Sequence, residues 1–467
     1  MGVTAELARF IVETDYDAIP QAAIESTRFR FLDTLGCMLA GADEAPTLMS
    51  LDLVRALGGT PSSSIAGHPD RTSAPLAAFV NGVSAHCLEY DDYTRGANHF
   101  SVTLVPTALA LAEQTGASGR QMVEAFAIGF QVATRIAWGV NPNLFPRGWH
   151  PNNPVGTMGA AAVAAKLLGL DAMQTRMAFG IATAQLAGAR ANFGSMTKAF
   201  HVGHAARSGI FAAMLAKRGF TAYPDIIEGS GVGEGHERFG LGETYVGRGK
   251  YNLDNMLLRL NEEWELAQNR TFPRLHPCAT TAAPVIDAVI DLAVEHDLRA
   301  EDIERIDVEM TAKALATNSL EPHTPFGARF SIPYGVAVAL IDRACGLAQY
   351  TEGRIARGDV QSLLPRVHAS TPDDLVQEVK RWGEGGVDFS ANRLAIVLKN
   401  GTTLRASRKF ARGWPEDPAS WNDIVTKYED CARGVQSAAR QHQTIDMVSR
   451  LEALPGVADL AASLQRG

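Results

Sequence analysis

Two stretches of the 467-residue chain concentrate side chains that could move protons or hold an anion. The first, LEYDDYTRGANH at 88–99, places Glu89, Asp91, Asp92, Tyr93 and His99 within eleven positions. Carboxylates and an imidazole this close can supply a general base and a general acid if burial moves their pKa values towards neutrality. The structural alternative is a solvated acidic turn capping the next helix. The second stretch is GSMTKAFHVGHAARSG at 194–209. If it is helical, Lys198, His201 and His204 recur every three residues on one face, with Arg207 a turn beyond. Such a cationic stripe can hold carboxylates and stabilise the enediolate-like charge that develops when an adjacent C–H is deprotonated. The alternative is a helix showing Lys and His to water, but the surrounding Ala and Gly point to a buried helix, where charge needs a reason.

A third candidate is His150, in the run Arg147-Gly148-Trp149-His150-Pro151 that leads into an Ala-rich segment from Gly156. It could face a cleft from a helix N-terminus, where anions bind well, or serve only as a turn. His276 and Tyr334 carry no signal by spacing alone. A metal shared by His201 and His204, with Asp91 or Glu89 completing the shell, is the weaker reading, because the chain has neither HExxH nor a cysteine pair. Gly229, Gly231, Gly233 and Gly235 resemble a phosphate cradle, yet no clear strand precedes them and Glu234 and Glu237 would repel phosphate. A loop is expected there, with no metal and no cofactor.

The elements that must position these groups change character along the chain. As far as about residue 265, apolar residues follow helical spacing, as at 22–40, 103–114, 119–140, 156–168 and 204–218. An irregular excursion is expected at 229–250, with helix resuming near Leu253. After Thr271 the period changes. Ile306, Val308 and Met310 alternate with Arg305, Asp307 and Glu309, the pattern of a half-buried strand. Runs at 394–398 and 402–404 flank Asn400-Gly401, which suits a two-residue hairpin turn. Helices are expected at 281–296, at 334–347 and after Thr371-Pro372, with Thr as cap and Pro at the first helical position. The tail at 421–464 is again helical. The fold class is therefore mainly α: a large all-helical domain, 1–270 and 414–467, with a smaller α/β domain at 271–413.

Composition narrows the function classes. The 46% hydrophobic content is ample for a sizeable core, and the formal net charge of −8 provides no field for nucleic acid and no polybasic membrane patch. An anionic substrate must find a local cationic pocket. Five scattered cysteines in no CxxC pair argue against a disulfide framework and a thiolate zinc site, and fit a reducing cytoplasm. The start shows no signal-peptide pattern. The longest apolar run, 158–170, is broken by Lys166 and too short to span a bilayer.

Taken together, FRFLDTLGCMLAG at 29–41, NGVSAHCLEYDD at 81–92, VGTMGAAAVAAKLLGLD at 155–171, KAFHVGHAARSGIFAAMLAKRGFTA at 198–222 and SIPYGVAVALID at 331–342 resemble the MmgE/PrpD family. Its members include 2-methylcitrate dehydratase, cis-aconitate decarboxylase and iminodisuccinate epimerase. The resemblance implies a helical domain carrying an α/β lid, a site in the cleft between them, a homodimer, and proton chemistry on a small polycarboxylate without cofactor. It puts the family's catalytic Lys on Lys198, its helix His on His201, its loop His on His99, the His before the Ala-rich helix on His150, and its lid Tyr on Tyr334. Four positions depart from the pattern: Glu89 stands for the family's first Asp, Tyr93 for a Thr, Phe100 for the Pro after the loop His, and Ala282 where a lid His is usual, with His276 upstream.

On this reading Lys198 and Arg207 bind carboxylates, with Tyr93 and His201 also against the substrate. His99, His150 and His276 carry protons, Glu89 and Asp91 orient them or share the acid role, and Tyr334 donates from the lid. Elimination on a citrate-like substrate is the expected reaction. Decarboxylation and epimerisation are alternatives on the same scaffold, and an inactive carboxylate-binding homologue is the rival of another class.

Overall fold

The structure is a computed structural model, and it describes residues 2–96, 98–230, 238–315, 322–376 and 392–466. Gly231, Gly233 and Gly235, with Glu234 and Glu237, lie outside the described residues. The chain divides into two compact units. The first comprises Met1–Cys87, Asp91–Thr271 and Trp421–Gly467, and the second Leu88–Tyr90 and Phe272–Ser420.

The first unit is helical. Its larger helices are Val3–Glu13, Gln21–Ala40, Ala45–Leu57, Ala74–His86, Ser101–Thr115, Gly119–Val140, Pro154–Leu168, Ala172–Thr183 and Thr197–Lys217, with Trp421–Ala432 and Ala438–Ser449 from the tail. Local chemistry sets several ends. Ser118 with Gln121, and Asp171 with Gln174, form capping boxes that satisfy otherwise unpaired N–H groups. Gly116 and Gly169 close two helices in the left-handed conformation. The Thr197–Lys217 helix is buried along most of its length, against the Ala74–His86, Pro154–Leu168 and Ala172–Thr183 helices. Small residues permit this closeness. A Cβ on Gly203 would stand 2.3 Å from the Phe79 carbonyl oxygen, and one on Gly209 would stand 2.5 Å from the Ala160 Cβ. In the 229–250 stretch, Gly229–Ser230 pairs antiparallel with Arg238–Phe239 before the helix Leu241–Tyr245.

The second unit is built on a four-stranded sheet in the order Thr403–Ala406, Asn392–Leu398, Ile303–Met310, Val367–Ser370, the last pair parallel and the others antiparallel. Ile306, Val308 and Met310 point into the core, as their alternation predicts. The helices Ala283–Glu295 and Ile332–Asp342 supply the rest of that core. Two local expectations need correction. The hairpin uses a three-residue loop rather than a two-residue one: the Gly401 N–H donates to the Leu398 carbonyl, and Gly401 alone takes positive φ. That is a type I turn closed by one left-handed residue, and it needs only one glycine. Thr371 does not cap the following helix through its side chain, because its Oγ1 is buried with no hydrogen-bond partner among the described residues. No helix among the described residues is long and apolar enough to cross a membrane.

Candidate active site

Three helix ends and one loop bring most of the candidate residues together inside the first unit. Lys198 and His201 come from the first turns of the Thr197–Lys217 helix, His150 from the turn before Pro154, and Asp91, Tyr93 and His99 from the loop after the Ala74–His86 helix. That helix ends on His86, which sequence reasoning passed over and which lies at the centre of the group.

Asp91 is fully buried beside two imidazoles. His86 Nδ1 lies 3.1 Å from its Oδ1, and His99 Nδ1 lies 2.9 Å from its Oδ2. His99 Nδ1 also lies 2.6 Å from the Asp92 carbonyl oxygen, and its backbone N–H donates to Asn152 Oδ1. Past this triad the rings continue. His86 stacks on His150 with centroids 5.8 Å apart, and His150 shares an Nδ1···Nδ1 hydrogen bond of 3.1 Å with His201. Phe193 packs edge-on against His150 at 4.9 Å, and the Lys198 ammonium lies 5.3 Å from the centre of the same Phe193 ring. The Tyr93 ring meets His99 at 5.1 Å.

Burial sets the charge state of this cluster. Desolvation, reinforced by the Lys198 charge, holds His150 well below the usual imidazole range. Burial and then the neighbouring His86 bring His201 to about 4, and burial followed by Arg207 does the same for His204. These rings are neutral at pH 7 and can accept protons. Burial pushes the Tyr93 phenol up to about 12, so it is a donor, and pushes Asp92 up to about 7 against the opposing Arg30 charge. Lys198 is only 8% exposed and sits in the first turn of its helix, where the backbone dipole is already positive. A buried ammonium at that end of a helix, among neutral imidazoles, is an arrangement that favours an anion.

Not every candidate joins the cluster. His204, half-buried, has its Nδ1 3.2 Å from the Asn153 amide nitrogen, which also donates to the His201 carbonyl. Asn153, a residue with no distinctive spacing, thus ties the start of the Pro154–Leu168 helix to the site helix. Arg207 lies over the Phe79 ring at 5.8 Å. Glu89 belongs to the second unit, with positive φ, and its carboxylate pairs with Arg274 at 3.1 Å. His276 is also in the second unit and uses both ring nitrogens internally, at 2.9 Å from the Asp287 carboxylate and 2.9 Å from the Cys345 carbonyl. Tyr334 is fully buried and donates its hydroxyl to the Gln349 carbonyl. His276 and Tyr334, expected as a proton carrier and a lid donor, thus have their partners within the second unit, as a buried ring nitrogen or hydroxyl needs.

A metal held by His201, His204 and a carboxylate does not fit, because an amide rather than a carboxylate faces His204. His86, Asp91 and His99 do present ligand atoms within 4.8 Å of one another. The His86 ring lies against this carboxylate through Nδ1, and the His99 Nδ1 faces the Asp92 carbonyl oxygen as well.

Known proteins place the chain in context. The model of the MmgE/PrpD N-terminal domain matches residues 5–236, and that of the MmgE/PrpD C-terminal domain matches residues 276–453. Cis-aconitate decarboxylase of Homo sapiens is 27% identical, over 99% of this chain and 95% of that protein. The mouse protein of the same name is 28% identical over 97% and 91%, and that of Aspergillus terreus 26% over 98% and 95%. With both family domains matched in order and nearly the whole length aligned to such relatives, the chain belongs to the MmgE/PrpD family.

Proposed function

We propose that the chain is a lyase that decarboxylates cis-aconitate or a close tricarboxylate, with side chains alone as acid and base. The observation that carries this reading is the burial of Lys198 among His150, His201 and the Asp91-braced His99. Loss of CO2 breaks the bond from a methylene carbon to its carboxylate. The electron pair forms a new C=C bond, displaces the old one, and leaves negative charge on the carbon next to a remaining carboxylate. That enediolate is stabilised by a nearby ammonium, the role assigned to Lys198. A proton from His99 Nε2 onto the same carbon completes the exchange of one CO2 for one H+. Asp91 stabilises the charged ring before transfer. Neutral His150 and His201 offer hydrogen bonds to carboxylates without adding charge.

One finding favours decarboxylation over the elimination expected from sequence. The relatives aligned over nearly the full chain are named cis-aconitate decarboxylase. Purified protein incubated in turn with cis-aconitate, 2-methylcitrate and iminodisuccinate, and followed by NMR, tests the proposal. A five-carbon unsaturated diacid from cis-aconitate supports it. Turnover of 2-methylcitrate alone restores elimination, and no turnover of any of the three removes the named substrates.

A further inference from the structure

The net charge of −8 works against the approach of a polycarboxylate anion, yet one turn beside the candidate site gathers cations. Arg147 and Lys250 are exposed and Arg190 is half-buried, and none of the three has a carboxylate within ion-pair distance among the described residues. We infer that Arg190, with Arg147 and Lys250 beside it, forms a cationic approach that draws a di- or tricarboxylate towards Lys198. The inference deepens the decarboxylase reading and rests on it for the identity of the anion.

Segments 148–150 and 188–190 pair antiparallel: the His150 N–H donates to the Gly188 carbonyl at 2.7 Å, and the Arg190 N–H to the Gly148 carbonyl at 2.7 Å. The pairing that sets His150 therefore sets Arg190 as well. The Arg190 guanidinium lies 4.4 Å from the centre of the Phe145 ring and donates to the Phe145 carbonyl at 3.0 Å, which holds a long side chain over the turn instead of leaving it to swing through water. Phe145 packs on Phe193 at 6.2 Å, and Phe193 is the ring that lies against both His150 and Lys198. Two aromatic rings thus separate Arg190 from the buried ammonium, and both, 42% and 39% exposed, face water. Arg147 follows Phe145 on the same turn, and the Asn143 amide donates to the Lys250 carbonyl at 2.7 Å, which brings Lys250 beside it. Glu243, the carboxylate on the segment leading to Lys250, is occupied by Arg248 at 3.0 Å. Cations at such separations from Lys198 act through their field rather than by contact, so their effect must fade as salt shortens the Debye length.

The experiment compares Arg190→Gln with Arg190→Lys, which keeps the charge, and with Arg433→Gln, which removes an exposed arginine of the tail and changes the net charge by the same amount. Each is assayed with cis-aconitate at ionic strengths of about 0.02 M and about 0.3 M, which shorten the Debye length from about 20 Å to about 6 Å. Arg190→Gln is expected to raise KM about 3- to 10-fold at the lower salt and less than about twofold at the higher, with kcat within about 1.5-fold throughout. Arg190→Lys and Arg433→Gln are expected to stay within about twofold of wild type at both. An unchanged KM in Arg190→Gln at low salt, a rise just as large at high salt, or an equal rise in Arg433→Gln overturns the inference. Tricarballylate, the saturated analogue with no double bond to react, is titrated into the same proteins by calorimetry, and its Kd is expected to follow the pattern of KM. If wild type binds it but does not turn over cis-aconitate, the decarboxylase reading fails and Kd alone decides the role of Arg190. If wild type does not bind it, the inference falls as well. Should Arg190→Gln not fold, Arg147→Gln is expected to move KM in the same direction with the same salt dependence.

Discussion

Substituting Gly203 by Ala tests whether helix contact sets the catalytic geometry. Gly203 lies on the helix that carries Lys198 and His201, facing the helix that ends on His86. Its added Cβ would stand 2.3 Å from the Phe79 carbonyl oxygen and 2.8 Å from Val83 Cγ2, whereas ordinary contact begins near 3.4 Å. Relief cannot come from a flexible side chain, because the nearest atom is backbone, so the two helices must part by about 1 Å, the difference between those distances. Overpacking of this kind costs about 1–3 kcal/mol, offset by about 1 kcal/mol from the better helix propensity of Ala. The net expectation is a loss of up to about 2 kcal/mol, in place of the gain at an exposed helical glycine. The catalytic effect is larger in proportion, since a displacement near 1 Å between reacting groups costs on the order of 100-fold in rate. Urea unfolding measures the first quantity and kcat for cis-aconitate the second, with Gly456→Ala, where a Cβ meets nothing within 4 Å, as the control. A Gly203→Ala protein as stable as wild type and with unchanged kcat would refute the reasoning.

Lys198→Ala is expected to lower kcat by about 10²- to 10³-fold, as for removal of a group that stabilises developing charge, with the circular dichroism spectrum unchanged. Stability should rise as pH increases from about 4 to about 6.5. His201 and His204, each brought to about 4, and the lowered His150 bind fewer protons folded than unfolded in that window, and the opposing carboxylates, Asp92 raised to about 7 and Glu265 raised by burial, are outnumbered. Urea midpoints across that range that stay flat or fall would contradict this, and His204→Gln should reduce the slope. Lys427, buried in the tail, donates to the buried Asp33 carboxylate at 2.6 Å. Lys427→Met should cost about 3–5 kcal/mol by stranding that charge, and adding Asp33→Asn should recover much of the loss, as read from urea unfolding.

Much of the architecture was legible in the chain. Helical periodicity placed 119–140 on the observed helix and 22–40 within a residue of it, and alternation at 306–310 found the central strand of the sheet. The three-residue recurrence of Lys198, His201 and His204 marked the site helix. These signals are local, because backbone hydrogen bonding and one-sided burial impose a period that neighbouring residues must obey. The partners of side chains have no such period. Nothing near Glu89 announces Arg274, 185 residues away, and nothing near Tyr334 announces that its hydroxyl is taken by Gln349. His86 was visible only as a residue inside a motif. Packing brought its ring against Asp91 on one side and His150 on the other. Hydrogen bonds act over about 3 Å, so which groups share protons is decided by which segments the fold places side by side, and that the tertiary structure alone supplies.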